Sequence, residues 1–455
     1  MKQRLEILLA GMALLAAAGH ASASGFALIE QSASGLGNAY AGGAASAEDA
    51  STIFYNPAGM LLLKGQQISG VLHYIAPRIA YSNERAANVA GSPQSGGSGG
   101  NAGNGKAVPN LFYSARISEQ LAAGIGISSP FGLVSSYDTT WVGRYHAVKS
   151  DVMTLNINPA VAYRITDQFS VGIGFNAQYM KAELSNMIDF GLSAYTNSGN
   201  NPALLGAVSN PRADILGTLK GDSWGFGYNL GLLYTPSQET RVGLAYRSKV
   251  EHSLKGDATF SQRDGAYLGS LGLAGAAAAT FSGQSISSDI TLPASLSLSV
   301  YHRFTPAWAV MADVGWTQWS SFDKLVIDFD GSLRSRPSVT TENWRDVWRF
   351  SAGATFNPTP QLALRTGFAY DQTPVPDAAH RTPRIPDSDR YWLAIGVGYA
   401  LSERINVDLG YAHLFMPDSR MSKSAAVPED AARGTLVGSY SGEIDIISTQ
   451  MTIRF

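Results

Sequence analysis

The pattern Gly221-Asp222-Ser223-Trp224-Gly225 is the arrangement in this sequence whose residue types most resemble a reactive site. G-x-S-x-G presents a nucleophilic serine in esterases, provided that a strand-turn-helix elbow exposes the hydroxyl. Here an alternating strand follows directly, so the pattern reads as a chance match. An esterase using Ser223, or another serine, with one of the histidines is the alternative from a different class, and ester hydrolysis by the purified protein would separate the two. The seven histidines, His20, His73, His146, His252, His302, His380 and His413, include no close pair at metal spacing. With no cysteine and no H-E-x-x-H, neither a zinc site nor any other cofactor is expected, and the chain reads as a non-enzyme.

Composition narrows the classes further. The 455 residues carry 33 Lys+Arg against 35 Asp+Glu, 48 glycines and 15% charged residues, where soluble domains average roughly 25%. Near-neutral charge without a basic stripe, and without a dinucleotide fingerprint in context, argues against nucleic acid or nucleotide partners. Hydrophobic residues reach 45%, yet the longest apolar run, Ile7 to Gly19, is shorter than the roughly 20 residues of a membrane helix. Residues 1–23 read as a cleaved secretory signal: Lys2 and Arg4, an apolar stretch from Leu5, and the small-residue site Ala21-Ser22-Ala23. Lipidation is excluded by the absence of cysteine. An exported chain without disulfides needs a large core or a closed architecture, and a closed barrel would serve.

From about Ile68 onward the dominant signal is period-two alternation in segments bounded by turn residues. In Tyr391 to Ala400, Tyr391, Leu393, Ile395, Val397 and Tyr399 point one way and small residues the other; after the turn Ser402-Glu403-Arg404 the pattern resumes at Ile405. Fourteen such segments begin near residues 67, 108, 120, 152, 169, 222, 240, 290, 307, 344, 360, 390, 404 and 442. An even number of segments this long predicts an all-β fold, a 14-stranded antiparallel transmembrane β-barrel over residues 66–455 in a bacterial outer membrane. Aromatics at segment ends, among them Tyr234, Tyr246, Tyr301, Trp308, Trp316, Tyr370, Tyr391 and Tyr399, suit the two interfacial girdles. Short turns such as 165–168 and 235–238 belong at the periplasmic end, and long connections such as 184–220 and 256–288 outside. The last strand ends in Phe455, which resembles the insertion signal read by the barrel assembly machinery. The Gly/Ser stretch 91–105 is expected to be a mobile external loop. Residues 24–65 are too irregular for a lipid-facing strand, because unpaired backbone groups are not tolerated in hydrocarbon, so they must sit in the lumen as a plug.

The plug carries a likeness. Gly25-Phe26, Glu30-Gln31-Ser32-Ala33-Ser34-Gly35-Leu36-Gly37-Asn38-Ala39-Tyr40-Ala41-Gly42, Glu48-Asp49-Ala50 and Asn56-Pro57-Ala58 resemble the N-terminal hatch of the FadL family of outer-membrane transporters for long-chain fatty acids and related hydrophobic molecules. Trp224-Gly225-Phe226-Gly227, Tyr246-Arg247-Ser248, Trp319-Ser320, Pro374-Val375-Pro376 and Ile385-Pro386-Asp387-Ser388-Asp389-Arg390-Tyr391-Trp392 follow in the expected order. The resemblance implies capture among the third and fourth long loops, passage to an internal site, hatch movement and sideways release through a break in the third strand. It implies a ligand-contacting role for Phe26, and a strand-three kink at Pro130, Phe131 and Gly132, where proline would break the ladder on physical grounds alone. Lys181 and Arg345 fall near the two basic residues by which the family holds a carboxylate.

The residues supply their own case for a hydrophobic cargo. Phe190 to Tyr195, Ala203-Leu204-Leu205 and Ala266 to Phe281 put apolar side chains in external loops, where exposed patches mark interaction sites; the alternative is a self-packed cap. Arg381, Arg384, Asp387, Asp389 and Arg390 read by default as solvated loop charges, with an anchor for the outer loops or a step on the ligand path as the functional reading. Asn56-Pro57-Ala58 is either the turn that ends the hatch helix or a hinge. The reading is a passive uptake channel for long-chain fatty acids, with aromatic hydrocarbons such as toluene or xylene as the alternative cargo. Its partners are the cargo, outer-membrane lipids and the assembly machinery, and it is expected to act as a monomer.

Overall fold

Alternation closes into one continuous wall. The computed structural model describes residues 25–333 and 336–455; the expected signal segment 1–23 lies outside the described residues. The strands are β1 Gln66–Ala87, β2 Lys106–Arg116, β3 in two pieces, Leu121–Ser128 and Gly132–Ser136, β4 Lys149–Arg164, β5 Phe169–Ile188, β6 Ile215–Tyr234, β7 as Thr240–Arg247 and Val250–Gln262, β8 as Gln284–Leu292 and Ser295–Arg303, β9 as Trp308–Thr317 and Lys324–Phe329, β10 as Ser338–Thr341 and Val347–Thr359, β11 Leu362–Asp371, β12 Arg390–Ala400, β13 Ile405–Lys423 and β14 Thr435–Arg454. Each pairs antiparallel with its chain neighbours, and β14 returns to β1 with rungs from Gln67↔Arg454 to Ala87↔Thr435. Closure of the fourteen strands removes the edges that would otherwise leave backbone groups unpaired.

The two faces of the wall have different chemistry. On β5, Ile173 and Phe175 point outward and are more than half exposed, while Gly174, Asn176 and Gln178 point in. The inner face is hydrogen-bonded across strands: Asn158 Nδ2 donates to Asn229 Oδ1 at 2.9 Å and Asn156 Nδ2 to Asn176 Oδ1 at 2.8 Å. Stacked outward rings mark the end with the short turns, Phe169 on Tyr234 and Trp308 on Phe356, each at 4.5 Å. Tyr370 and Tyr391 stack at 4.9 Å toward the other end.

Three features depart from the sequence reading. β6 and β14 begin at Ile215 and Thr435, several residues before the expected 222 and 442; hydrogen bonding carries these strands past the hydrocarbon, where an alternating apolar face is no longer required. Four further strands besides β3 are interrupted, and at Pro293 the missing amide breaks β8 as Pro130 breaks β3. The Gly/Ser stretch is also built into the wall at its far end, where Asn101 bridges Ala80 and Gly103 bridges Ser135.

The lumen holds residues 25–63, folded as α1 Ala33–Gly37, α2 Gly43–Ser46, α3 Thr52–Tyr55 and a 3-10 turn, Pro57–Leu62. Helices this short are not stable alone, and the wall supplies the missing partners. Gln450 Oε1 accepts from Ala33 N at 2.9 Å, Ser299 Oγ accepts from Ala44 N at 3.0 Å, and Asn38 Nδ2 donates to Ala354 O at 2.9 Å. Toward the short turns, Arg365 pairs with Glu48 at 3.0 Å and Asp408 at 2.8 Å.

Candidate ligand cavity at the hatch

The ladder between β2 and β3 ends at Leu111↔Ile127. Beyond it Pro130 offers no amide, and the start of the hatch occupies the place of the missing partner. Leu28 N donates to Pro130 O at 2.8 Å, Gly132 N donates to Phe26 O at 3.0 Å, and Ala27 forms an antiparallel bridge with Phe131. On the other side Thr154 Oγ1 accepts from Phe131 N at 3.0 Å. Of the expected kink, Pro130 and Phe131 lie between the two pieces of β3 and Gly132 opens the second piece, and the hatch backbone covers them.

Phe26 anchors this covering segment. Its ring lies 4.8 Å from Trp319, 5.8 Å from Phe322, 5.9 Å from Trp344 and 6.1 Å from Phe131. Burying such a ring contributes about 1.5–3 kcal/mol. Gly25 precedes it at φ +56, with Trp319 and Trp344 in the space a Cβ would need, so only glycine serves there. Its N–H donates to Asp387 Oδ2 at 3.1 Å and its carbonyl accepts from Arg390 Nη2 at 3.1 Å, while Arg390 also binds Asp387 Oδ1 at 2.7 Å. The loop charges are therefore not solvated: Asp387 and Arg381 are buried, and the Ile-Pro-Asp segment clamps the first hatch residue. Folding of this loop back over the barrel mouth, not local sequence, desolvates them.

Below the ring cluster lies a cavity of about 180 Å³, lined by Leu28, Glu30, Tyr40, Tyr55, Phe131, Trp319, Arg247, Asp313, Arg349, Asp371, Arg390 and Trp392 among others. Apolar walls thus enclose three guanidinium and three carboxyl side chains. Asp313 is held by Ser297 Oγ at 2.7 Å and by Ser299. Arg247 donates to Asn176 Oδ1 at 2.7 Å and Phe54 O at 2.9 Å. Arg349 is different: Nη2 donates to Ala39 O at 2.8 Å, but Nε and Nη1 have no hydrogen-bond partner, nor does Nε of Arg390. Glu30 Oε2 is also unpartnered, and burial pushes its carboxyl up to about 7. Buried, unmade charged hydrogen bonds are costly, which favours an anion that completes them.

Neither basic residue suggested by the resemblance reaches this cavity. Lys181 shares the outward parity of Ile173, Phe175 and Tyr179 on β5 and is exposed on the outer face, and Arg345 is exposed in the interruption of β10. The inward alternation of Arg349 with Ser351 between outward Trp348 and Phe350 was the signal that could have found the cavity's own arginine. Asn56, Pro57 and Ala58 are fully buried against the wall. Asn56 Nδ2 donates to Ala44 O at 2.7 Å and Leu232 O at 3.0 Å, and a Cβ on Gly231 would meet Asn56 Oδ1 at 1.9 Å. The apolar outer-loop stretches pack on one another: Phe190, Leu268, Ala277 and Phe281 share a cluster through α4 Phe190–Asn197, α5 Gly265–Ser270 and α6 Ala274–Thr280, leaving Leu205 60% exposed. Ser223 Oγ does meet a histidine, His252 Nδ1 at 3.0 Å, with Nε2 against Gln178 Oε1 at 3.1 Å. However, the third member is a neutral amide, and Ser223 lies in regular ladder opposite Met180 instead of at an elbow.

The family described as "Outer membrane protein transport protein (OMPP1/FadL/TodX)" matches residues 14–455. A long-chain fatty acid transport protein of Escherichia coli O6:H1 is 34% identical over 401 residues, 86% of each chain. Outer membrane protein P1 of Haemophilus influenzae is 34% identical over 435 residues, 91% of this chain and 90% of its own. The crystal structure of a Pseudomonas aeruginosa FadL homologue superposes with a TM-score of 0.84 at 28% identity, covering 95% of this chain and all of that one. The Pseudomonas putida toluene transporter TodX, at 19% identity and a TM-score of 0.63 over 94% of this chain and 99% of its own, shares the fold. The Escherichia coli and Pseudomonas putida relatives are named as transporters, and the chain, with its fourteen-stranded wall and lumenal hatch, belongs to the outer membrane protein transport family that includes FadL and TodX.

Proposed function

We propose that this chain carries long-chain fatty acids inward across the outer membrane by diffusion, as a monomer. The observation that carries the reading is Arg349, buried on the cavity with two of its nitrogens unpartnered. A carboxylate meets that need with two parallel charge-assisted bonds, and Arg390 Nε offers a further donor. These residues take the role suggested for Lys181 and Arg345. A chain of about sixteen methylenes gains on the order of 13 kcal/mol gross on burial, before ordering costs, enough for a dry path to compete with the leaflet. The cavity is near the size of the roughly 150 Å³ void that takes one benzene, so a whole acyl chain requires Phe26 and its neighbours to shift. Their displacement breaks the Leu28 and Gly132 bonds at the strand-three break, and the cargo leaves sideways through the wall. Asn56-Pro57-Ala58 stays fixed, as anchor and not hinge. The same size, together with the ring cluster around Phe26, favours a second reading in which an aromatic hydrocarbon is the cargo. Uptake of labelled oleate by a bacterium lacking its own fatty-acid transporter tests the two: oleate uptake lost in Arg349→Gln supports the first, and toluene uptake without oleate uptake supports the second.

A further inference from the structure

Lys181, outside the cavity, belongs to a different pattern. One rung of the wall runs Gly132, Met153, Lys181, Asp222, Lys255 across β3 to β7. Immediately toward the short-turn end of this rung, the outward rings of Tyr179 and Trp224 lie 5.5 Å apart, and those of Phe175 and Phe226 stack at 5.9 Å. Toward the outer end, Glu183 bridges Lys149 at 3.1 Å and Lys220 at 3.4 Å, while Asp151 bridges Lys106 at 3.5 Å and Lys149 at 3.6 Å. Lys181 and Lys255 enter no ion pair within 4.0 Å among the described residues, although Asp222 and Asp257 share the face. Apolar, then aromatic, then charged residues in succession mark the upper boundary of the hydrocarbon. Lysine stems lie along such a surface and lift their ammonium groups to the headgroup level.

We propose that the outward face of β4 to β7 above Tyr179 and Trp224 binds the phosphate groups of an outer-leaflet glycolipid, with Lys181 and Lys255 as direct ligands and Lys149 and Lys220 beside them. Ammonium groups at headgroup depth complement phosphate, and the aromatic band directly below suits the acyl chains of the same molecule. The shared rung with Gly132 fixes the neighbourhood: a lipid held at Lys181 sits two strands along the wall from the strand-three break.

The test uses the full mature barrel, purified in detergent, with native mass spectrometry of bound bis-phosphorylated lipid A. Lys181→Gln/Lys255→Gln is expected to lower lipid A binding by about thirtyfold, with Lys64→Gln, exposed in the link between the hatch and β1, unchanged. Lys181→Arg/Lys255→Arg keeps the charge and is expected to bind like the parent. Heat-modifiable mobility on gels verifies that each variant is a folded barrel. Equal binding by the Gln pair, equal binding of dephosphorylated lipid, loss of binding in the Arg pair, or displacement of the lipid by millimolar inorganic phosphate would each overturn the proposal.

Discussion

The amide of Leu28 donates to the carbonyl of Pro130 at 2.8 Å, so backbone from the start of the hatch closes the barrel wall where β3 loses its own pairing. A side-chain plug could be trimmed by evolution one atom at a time. A backbone seal is released only when the segment itself moves, which couples the wall to whatever displaces Phe26.

That coupling can be locked. Ala27 and Phe131 are bridge partners, and directly opposed antiparallel residues sit about 4.5–5.5 Å apart, within disulfide range. The chain has no cysteine, so Ala27→Cys with Phe131→Cys forms one defined bond. Oxidised, the variant is expected to take up labelled oleate at least about tenfold more slowly, a loss near the ~1.4 kcal/mol that corresponds to tenfold, and reductant is expected to restore it. Uptake indifferent to oxidation would remove the sideways route.

The cavity arginines make a second expectation. Loss of a hydrogen bond to a charged group costs about 1.5–3 kcal/mol, or roughly ten- to a hundredfold. Arg349→Gln should weaken oleate binding by that factor while leaving binding of the corresponding long-chain alcohol little changed. Lys181→Gln and Arg345→Gln, both exposed outside the cavity, should leave oleate binding as it is. Calorimetric titration of purified protein measures all four.

How much of this was legible follows from what each residue depends on. Strands can be read because alternation is a local consequence of a wall with one lipid face, and Pro130 because a residue without an amide cannot donate to the ladder, although Pro77 and Pro109 stay inside continuous strands. The outward position of Lys181 is itself legible, in its parity with Ile173 and Phe175. Arg390 and Asp387 read locally as solvated loop charges because their partner, Gly25, is 365 and 362 positions away in the chain. No local pattern carries that contact. The Phe26 ring cluster has the same origin, since Trp319 and Trp344 reach it only through interruptions in β9 and β10.

Glu342, in the outer interruption of β10, supplies a pH dependence. Its Oε2 accepts from Trp344 Nε1 at 3.1 Å, and burial pushes the carboxyl up to about 8, against the pull of Lys423. A carboxyl raised on folding favours the folded loops most below its ordinary value near 4.5, and that contribution is lost as pH rises through about 8. Hydrogen exchange in residues 338–346, corrected for intrinsic rates, should therefore report looser packing at pH 9 than at pH 6. Glu342→Gln should flatten the difference. A pH response unchanged in that variant would assign it to another group.

The anchor reading of Asn56 separates from the hinge reading by what moves. Its side chain makes three hydrogen bonds, to Ala44 O, Leu232 O and from Ala58 N at 3.0 Å, all inside the lumen. Truncation leaves buried carbonyls unmet, at about 1–3 kcal/mol each. Asn56→Ala is therefore expected to lower the temperature at which the barrel loses its heat-modifiable mobility, and to loosen exchange across residues 43–62, while the affinity for oleate stays within about twofold because no atom of Asn56 lines the cavity. A hinge would give the opposite pair of results, unchanged melting with slowed uptake. Gly231→Ala adds a check from the wall side: its Cβ would fall 1.9 Å from Asn56 Oδ1, so it should reproduce the loss of stability without touching the hatch sequence.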